Sequence, residues 1–153
     1  MNKWEAMTFE DITGDGMLWA VRYEGDSDNI LAMTFDKWND HDWLTDFFMA
    51  NSSDLSRYFK ITNLNQAIYE TISDAQQLEC VILDFIASDK LDSLFKPLEN
   101  LRSEALLGKE KAKGNRIFRH DSWLRLYAIR FQRNSYLVTG GTIKLTRTMQ
   151  ERE

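Results

Sequence analysis

The chain has 153 residues, of which 43% are hydrophobic and 12% aromatic, so it can bury a full core and is not intrinsically disordered. Its single cysteine has no partner for a disulfide, which fits a reducing compartment. The first residues lack the apolar stretch of a signal peptide, and no apolar run approaches the about 18 residues of a membrane span. We therefore expect one cytoplasmic domain, residues 1–153, that does not bind a membrane.

Charge divides the chain into two parts. Residues 1–100 contain 7 Lys or Arg and 19 Asp or Glu, whereas residues 101–153 contain 12 and 5, so their net charges are −12 and +7 and the whole chain has −5. A basic segment of this kind is typical of a surface that binds a partner, most often through the partner's phosphate groups. The acidic part can equally neutralise the basic part within one molecule, and composition does not choose between these two interpretations.

The first predicted element is a β-hairpin. Residues 17–23 (MLWAVRY) and 30–35 (ILAMTF) are rich in β-branched and aromatic side chains. The segment EGDSDN between them is a cluster of turn-forming residues. We therefore expect two antiparallel strands joined by a loop of about six residues.

Helices are predicted for the middle of the chain, up to Pro97, which cannot continue a helix. The longest carries apolar residues every three or four positions to about Phe85. Cys80 belongs to this pattern and is interpreted as a small core residue. The expected helix starts are Asp40 or Asp42, Ser52 or Ser53, Asn63 or Asn65, and residue 90.

The last third predicts a three-stranded meander. Residues 102–121 are polar and cationic, and are interpreted as a helix turn followed by a mobile loop. The expected strands are SWLRLYAIRF, SYLVT and TIKLTRT, separated by turns at residues 132–135 and at Gly140–Gly141. The fold class predicted is α+β, with a mostly antiparallel sheet (N-terminal hairpin plus C-terminal three-stranded meander) packed with a helical middle region.

Two clusters of possible metal ligands receive simpler interpretations. His41, Asp42 and Asp46 lie within about one helical turn, but carboxylates at a helix start are explained by capping. The segment DITGDG superficially suggests a calcium loop, but Arg22 stands where the bidentate Glu would be needed. We expect no metal and no cofactor.

The cations of the last third lie on the predicted strands and on the loop before them. One interpretation is a solvated sheet face on which charges pair across strands. The other is an RNA-binding face, on which Lys and Arg hold phosphates while Tyr127, Tyr136 or Phe131 stacks on a base. Arg125 either points to solvent or is held at a partly buried site by a carboxylate or a phosphate, and arginine suits the latter because its planar guanidinium binds oxyanions with two parallel hydrogen bonds.

The run GKEKAKGNRIFRHDSWLRLYAIRFQRNSYLVTGGTIKLTRTMQE, residues 108–151, resembles the C-terminal part of RelE/ParE-like toxins of bacterial toxin–antitoxin pairs. The shared pattern is a basic loop, a strand with Trp/Tyr-Arg-Leu-x-Tyr character, an apolar strand, and a Gly-x-Lys-x-x-Arg-like strand. The segment is also similar to a group of uncharacterised bacterial proteins that share the ending LRLYAIR…TGGxIKLTxTMQE. The resemblance covers a third of the chain.

What the resemblance implies is a toxin-like component of a toxin–antitoxin pair. Ribonuclease members of that superfamily cleave mRNA on the ribosome, so an antitoxin-like protein, RNA and the ribosome are the implied partners. No Tyr or His follows the last strand here, which leaves His120 and Tyr127 as proton donors. The candidate catalytic residues are Arg125, Lys144, Arg147, His120 and Tyr127. The candidate nucleic-acid-binding residues are Lys111, Lys113, Arg116, Arg119 and Arg130.

The alternative function is a non-enzymatic interaction module whose acidic N-terminal part binds a protein partner. The position of the cations separates the two hypotheses. Convergence of Arg125, Arg130, Lys144 and Arg147 on one open face favours binding or catalysis, whereas pairing of each with Asp or Glu favours the module.

Overall fold

The computed structural model describes residues 7–97, 102–105 and 122–145. Within these ranges five helices pack on one face of a six-stranded mixed sheet, which confirms the α+β class. The helices are α1 (Ile30–Trp38), α2 (His41–Ala50), α3 (Ser52–Phe59), α4 (Leu64–Ala87) and α5 (Leu91–Leu94). The strands are β1 (Met7–Asp11), β2 (Leu18–Tyr23), β3 (Lys96–Pro97), β4 (Arg102–Ala105), β5 (Leu124–Gln132) and β6 (Ser135–Ile143).

The sheet is mixed, so the prediction of a mostly antiparallel sheet was wrong. Its strand order is β1-β2-β6-β5-β4-β3, and β2 runs parallel to β6 while every other pair is antiparallel. The reason is the route of the chain. It leaves β2, forms the helical layer on one face, continues through β3, β4 and β5, and then places β6 beside β2.

The predicted N-terminal hairpin was also wrong, because residues 30–35 lie in α1. The side chain of Asn29 caps this helix by accepting a hydrogen bond from the Ala32 amide at 2.9 Å. Thr34, Phe35 and Trp38 form its buried face, and this helical spacing outweighs the local β propensity. The hairpin partner of β2 is β1, with Asp11 opposite Trp19.

The predicted helices of the middle region are confirmed in α2 to α5. Asp40 caps α2 by accepting from the amides of Asp42 and Trp43, and Asn63 caps α4. Helix α3 begins at Ser52 without a side-chain cap bond. One residue differs from the prediction: Cys80 is exposed rather than buried in the core.

The predicted turn at Gly140–Gly141 does not exist, because β6 continues through both glycines to Ile143. The sheet therefore has a β5–β6 hairpin where a three-stranded meander was expected. A register shift falls beside Tyr127, where pairing moves from Gly140 to Val138 and leaves Thr139 as an extra residue. Residues 102–105, expected to begin a helix turn, instead form β4, which pairs with β5.

The core lies between the helices and the inner face of the sheet. Trp123 is fully buried, and its indole N–H donates to the Thr71 hydroxyl of α4 at 2.9 Å. The rings of Phe48 and Phe59 meet Trp123 edge-on at 5.6 and 5.1 Å. These contacts fix the start of β5 and so the position of Arg125.

Candidate functional surface on the outer face of the sheet

The outer face is the sheet face opposite the described helices. Strand β5 alternates: Leu124, Leu126 and Ala128 are buried in the core, whereas Arg125, Tyr127 and Ile129 are half-buried on the other side. The cross-strand registers place the remaining members on the same side. The described residues on the outer face are Met7, Phe9, Asp11, Trp19, Val21, Tyr23, Glu104, Arg125, Tyr127, Ile129, Phe131, Leu137, Thr142 and Lys144.

One end of the outer face carries three of the candidate catalytic residues. Arg125 lies opposite Thr142, and Tyr127 lies opposite Gly140 on the adjacent strand. Lys144 follows β6 between two core residues, Ile143 and Leu145, so its side chain lies on the outer side. The structure thus brings Arg125, Tyr127 and Lys144 together on two neighbouring segments.

The guanidinium of Arg125 is anchored at the start of β5. Its Nη1 donates to the carbonyl oxygens of Ser122 and Leu124, the latter at 3.0 Å. Both bonds are local, so they hold the side chain near its own strand and orient the guanidinium at the cationic end of the outer face. An arginine cannot lose its charge, so Arg125 itself stays positive at every physiological pH.

The other end of the outer face is aromatic. Phe9 and Phe131 are 54% and 51% exposed, and Phe131 meets the ring of Trp19 edge-on at 6.5 Å. Val21 and Leu137, also on this face, are buried and lie outside the main core cluster. From Arg125 to Phe131 the face extends about 20 Å along β5.

Arg130 does not join this cluster. Its Nε and Nη2 donate to the two carboxylate oxygens of Asp92 at 2.9 and 3.2 Å, which ties the end of β5 to α5. The hydroxyl of Tyr136 donates to the same carboxylate at 2.7 Å, and the Asn134 amide does so at 3.2 Å. We call Asp92, Arg130, Asn134 and Tyr136 the Asp92 clasp.

The pKa values within the Asp92 clasp reflect these bonds. The hydrogen bond from Arg130, supported by those from Tyr136 and Asn134, lowers the pKa of Asp92 to about 2. Burial, together with the hydrogen bond to Asp92, raises the pKa of Tyr136 to about 12. Tyr136 is buried and its ring stacks on Phe95, so it offers no surface for a base.

The remaining sequence-predicted site residues lie outside the described residues. Nothing in the structure therefore bears on their position. They are His120, Lys111, Lys113, Arg116, Arg119 and Arg147.

One feature that the sequence interpretation missed is a cleft of about 560 Å³ in the acidic part of the protein. It opens between the β1–β2 loop, α1 and α4. Of its two helical walls only α4 was predicted, because residues 30–35 were predicted to form a strand. The sequence signal for the cleft is the pair of apolar residues four positions apart in each helix, Leu31 with Phe35 and Ile82 with Ile86.

Possible metal ligands do not gather in the part of the chain that the structure describes: no group of three or more His, Cys, Asp or Glu side chains there is placed to hold an ion. The carboxylate of Asp11, in the segment that suggests a calcium loop, accepts from the amides of Gly14 and Gly16 at 2.9 and 3.0 Å.

Within the same described ranges, no helix combines the length and apolar character needed to cross a membrane.

Comparison with protein-family models, curated proteins and solved structures found nothing that matches this chain.

Proposed function

We propose that the protein is the toxin-like component of a bacterial toxin–antitoxin pair and that it binds and cleaves RNA on the outer face. The observation that carries this proposal is the grouping of Arg125, Tyr127 and Lys144 on one sheet face that no described helix covers. The resemblance of residues 108–151 to RelE/ParE-like toxins points in the same direction.

RNA fits the outer face because the cationic end suits phosphate groups and the aromatic end, about 20 Å away along β5, suits bases of nucleotides further along the same strand. Arg125 and Lys144 match phosphate oxygens, since guanidinium and ammonium groups are strong charge-assisted donors. Phe131 and Phe9, each about half exposed, offer flat apolar surfaces on which unpaired bases stack. Single-stranded RNA is the form that presents both phosphates and unstacked bases.

The proposed chemistry is transesterification within the RNA. The ribose 2′-oxygen attacks the adjacent phosphorus, the bond to the 5′-oxygen breaks, and the products are a 2′,3′-cyclic phosphate and a 5′-hydroxyl. Arg125 and Lys144 stabilise the negative charge that develops on the non-bridging oxygens. The 2′-hydroxyl gives up its proton to water as it attacks, and the Tyr127 hydroxyl donates a proton to the leaving 5′-oxygen and regains one from solvent.

The test is growth after induced expression, with total RNA analysed for cleavage. We expect the wild type to arrest growth and cleave RNA, and Arg125→Ala to abolish both. Arg133→Ala is the matched control, because Arg133 is exposed in the β5–β6 turn and lies outside the outer face. It should arrest growth as the wild type does.

Two further outcomes separate the parts of this proposal. Growth arrest without RNA cleavage would retain the toxin but assign it another target. Normal growth with soluble wild-type protein would contradict the toxin and leave the interaction module as the better account. Thermal unfolding of Arg125→Ala must be compared with Arg125→Lys, since loss of the bonds to Ser122 and Leu124 can also loosen β5.

The interaction module retains one supporting observation. Of the described cations that were to separate the two hypotheses, Arg130 is paired with an acidic residue. This pairing is the outcome expected of a module whose charges are neutralised internally. A neighbouring gene for a small helix-turn-helix protein would instead favour the toxin–antitoxin pair.

A further inference from the structure

The cleft in the acidic part of the protein has apolar walls. Leu31 and Phe35 of α1 form one side, Ile82 and Ile86 of α4 form the other, and Leu18 of β2 lies at the base. Its volume of about 560 Å³ is typical of binding clefts. The cleft is built from the N-terminal part of the chain and contains no residue of the outer face.

Apolar surface continues from the cleft onto its rim. Leu83 is 59% exposed and Ile12 is 39% exposed, and both line the opening. A small enclosed ligand would leave these two side chains in water. Their position indicates an occupant that covers the rim as well as the interior.

The charge of the cleft has one sign. Asp15 and Glu79 lie at its opening, and the described residues that line it include no Lys or Arg. The hydrogen bonds from the Thr13 hydroxyl and the Met17 amide lower the pKa of Asp15, so its carboxylate stays ionised. A complementary occupant therefore carries positive charge beside its apolar groups.

The loop side of the cleft is held in place before any partner binds. The Asp11 carboxylate accepts from the amides of Gly14 and Gly16, and the Ile12 amide donates to the Leu18 carbonyl oxygen at 2.8 Å. Gly14 and Gly16 adopt φ values of +80° and +83°, which only glycine adopts readily. Ile12 and Asp15 are thereby presented on a fixed turn, which lowers the entropic cost of binding.

The shape of the cleft fits a helix rather than a strand. Its two long walls are helices that present pairs four residues apart, Leu31 with Phe35 and Ile82 with Ile86. Such ridges leave a groove into which the ridge of a third helix packs. The main-chain groups of both walls are used within their helices, so a strand would find no partners there.

We propose that this cleft binds a basic amphipathic helix of a partner protein. Apolar side chains of that helix at positions i, i+3 or i+4, and i+7 fill the groove, and its Lys or Arg residues meet Asp15 and Glu79. This inference concerns a different surface from the proposed function and does not depend on it.

The test uses two fluorescent peptides, each about 18 residues long, so that a helix of about 27 Å spans the groove. One has Leu on one helical face and Lys on the other, and the second has Glu in place of Lys. Fluorescence anisotropy measures their dissociation constants with the full chain. We expect the Lys peptide to bind at least about tenfold more tightly than the Glu peptide, with a difference that shrinks as salt is added.

Four variants locate the binding site. Leu83→Ala removes apolar rim surface, and Glu79→Lys reverses a rim charge; each should weaken binding of the Lys peptide by roughly fivefold or more. The matched controls lie on the same helix outside the cleft: Tyr69→Ala, whose side chain is 72% exposed, and Asp84→Lys, also exposed. They should change the affinity less than about twofold. All four positions are exposed, so circular dichroism should show an unchanged fold.

Three results would overturn the proposal. They are equal affinity for the two peptides, equal weakening by Asp84→Lys and Glu79→Lys, and no binding of either peptide at millimolar concentration. A fourth would assign the cleft to a second copy of this chain: dimers of the wild type that Leu83→Ala converts to monomers. Arg125→Ala should leave the peptide affinity unchanged. A failure of the helix-binding proposal can therefore be distinguished from a failure of the proposed RNA activity.

Discussion

Asp92 joins three elements through one carboxylate. It lies in α5, accepts from Arg130 of β5 and Tyr136 of β6, and also accepts from the Asn134 amide in the turn between those strands. The bond is reciprocated, because the Asn134 side-chain oxygen accepts from the Asp92 amide at 3.0 Å. Asn134 has φ of +56°, which asparagine tolerates better than most residues. The Asp92 clasp therefore fixes both the hairpin turn and α5.

We expect the protein to lose stability in acid, because the Asp92 clasp requires an ionised carboxylate. The folded-state pKa of Asp92, about 2, is below the ordinary 3.8, so the contribution of Asp92 to the free energy of unfolding is complete above pH 4 and is lost as the pH falls through 2. Because the Asp92 side chain is 33% exposed, we expect on the order of 1 kcal/mol. Urea unfolding between pH 2 and 5 measures this contribution, and Asp92→Asn should remove it. An unchanged acid profile in the variant would show that other carboxylates cause the loss.

At alkaline pH the same clasp loses stability in the opposite direction, as the pH rises. The folded-state pKa of Tyr136, about 12, lies above the ordinary 10, so its contribution is present below pH 10 and is lost as the pH rises through 12. The Asp92 clasp is thus complete between about pH 4 and pH 10.

At the scale of elements, the contact between α1 and β6 depends on a glycine. A Cβ at position 141 would lie 2.7 Å from the Thr34 methyl and 3.1 Å from the indole of Trp38. The same Cβ would lie 3.1 Å from the carbonyl oxygen of Arg125. The helix therefore packs on the strand only because residue 141 has no side chain.

The neighbouring glycine provides a matched comparison. We expect Gly141→Ala to lower the free energy of unfolding by about 1–3 kcal/mol, because helix and strand must separate. Gly140→Ala should change it by less than about 1 kcal/mol, since a Cβ at position 140 meets nothing within 4 Å. Urea unfolding of both variants tests this. Similar effects would mean that α1 adjusts without cost.

At the scale of the whole molecule, the sheet order separates protected strands from exposed ones. Strands β2, β6 and β5 each have a neighbour on both sides, whereas β1 pairs only with β2 in the part of the chain that the structure describes. The edge strand β1 also carries the half-exposed Phe9. An open edge of this kind can separate from the sheet without global unfolding.

Hydrogen exchange measures this difference. We expect the amides of β5 and β6 that bond within the sheet to exchange only through global unfolding, and those of β1 to exchange at least about tenfold faster. The amides of β6 that face β2 are the internal control, because β6 belongs to the same sheet but is not an edge strand. Equal protection of β1 and β6 would indicate that another segment or another molecule covers the β1 edge.

The candidate site was partly predictable from sequence for a local reason. Alternation within β5 places Arg125 and Tyr127 on one face whatever the strand pairs with, so that pair was foreseen. The same alternation places Arg130 on the opposite side of β5, whereas its pairing with Asp92 was not foreseeable, because Asp92 lies 38 residues earlier and is brought near only by the fold. The cleft was missed for the same reason, since its walls come from three distant segments.

The sequence alone determined features that depend on near neighbours along the chain: the α+β class, the start of α2 at an aspartate cap, the long helix α4, and the alternation of β5. Capping and periodicity act over a few residues, so they can be read from the chain directly. The tertiary structure decided the helical state of residues 30–35, the passage of β6 through two glycines, and the parallel pairing of β2 with β6. Those outcomes depend on burial against distant partners, which local propensity does not encode.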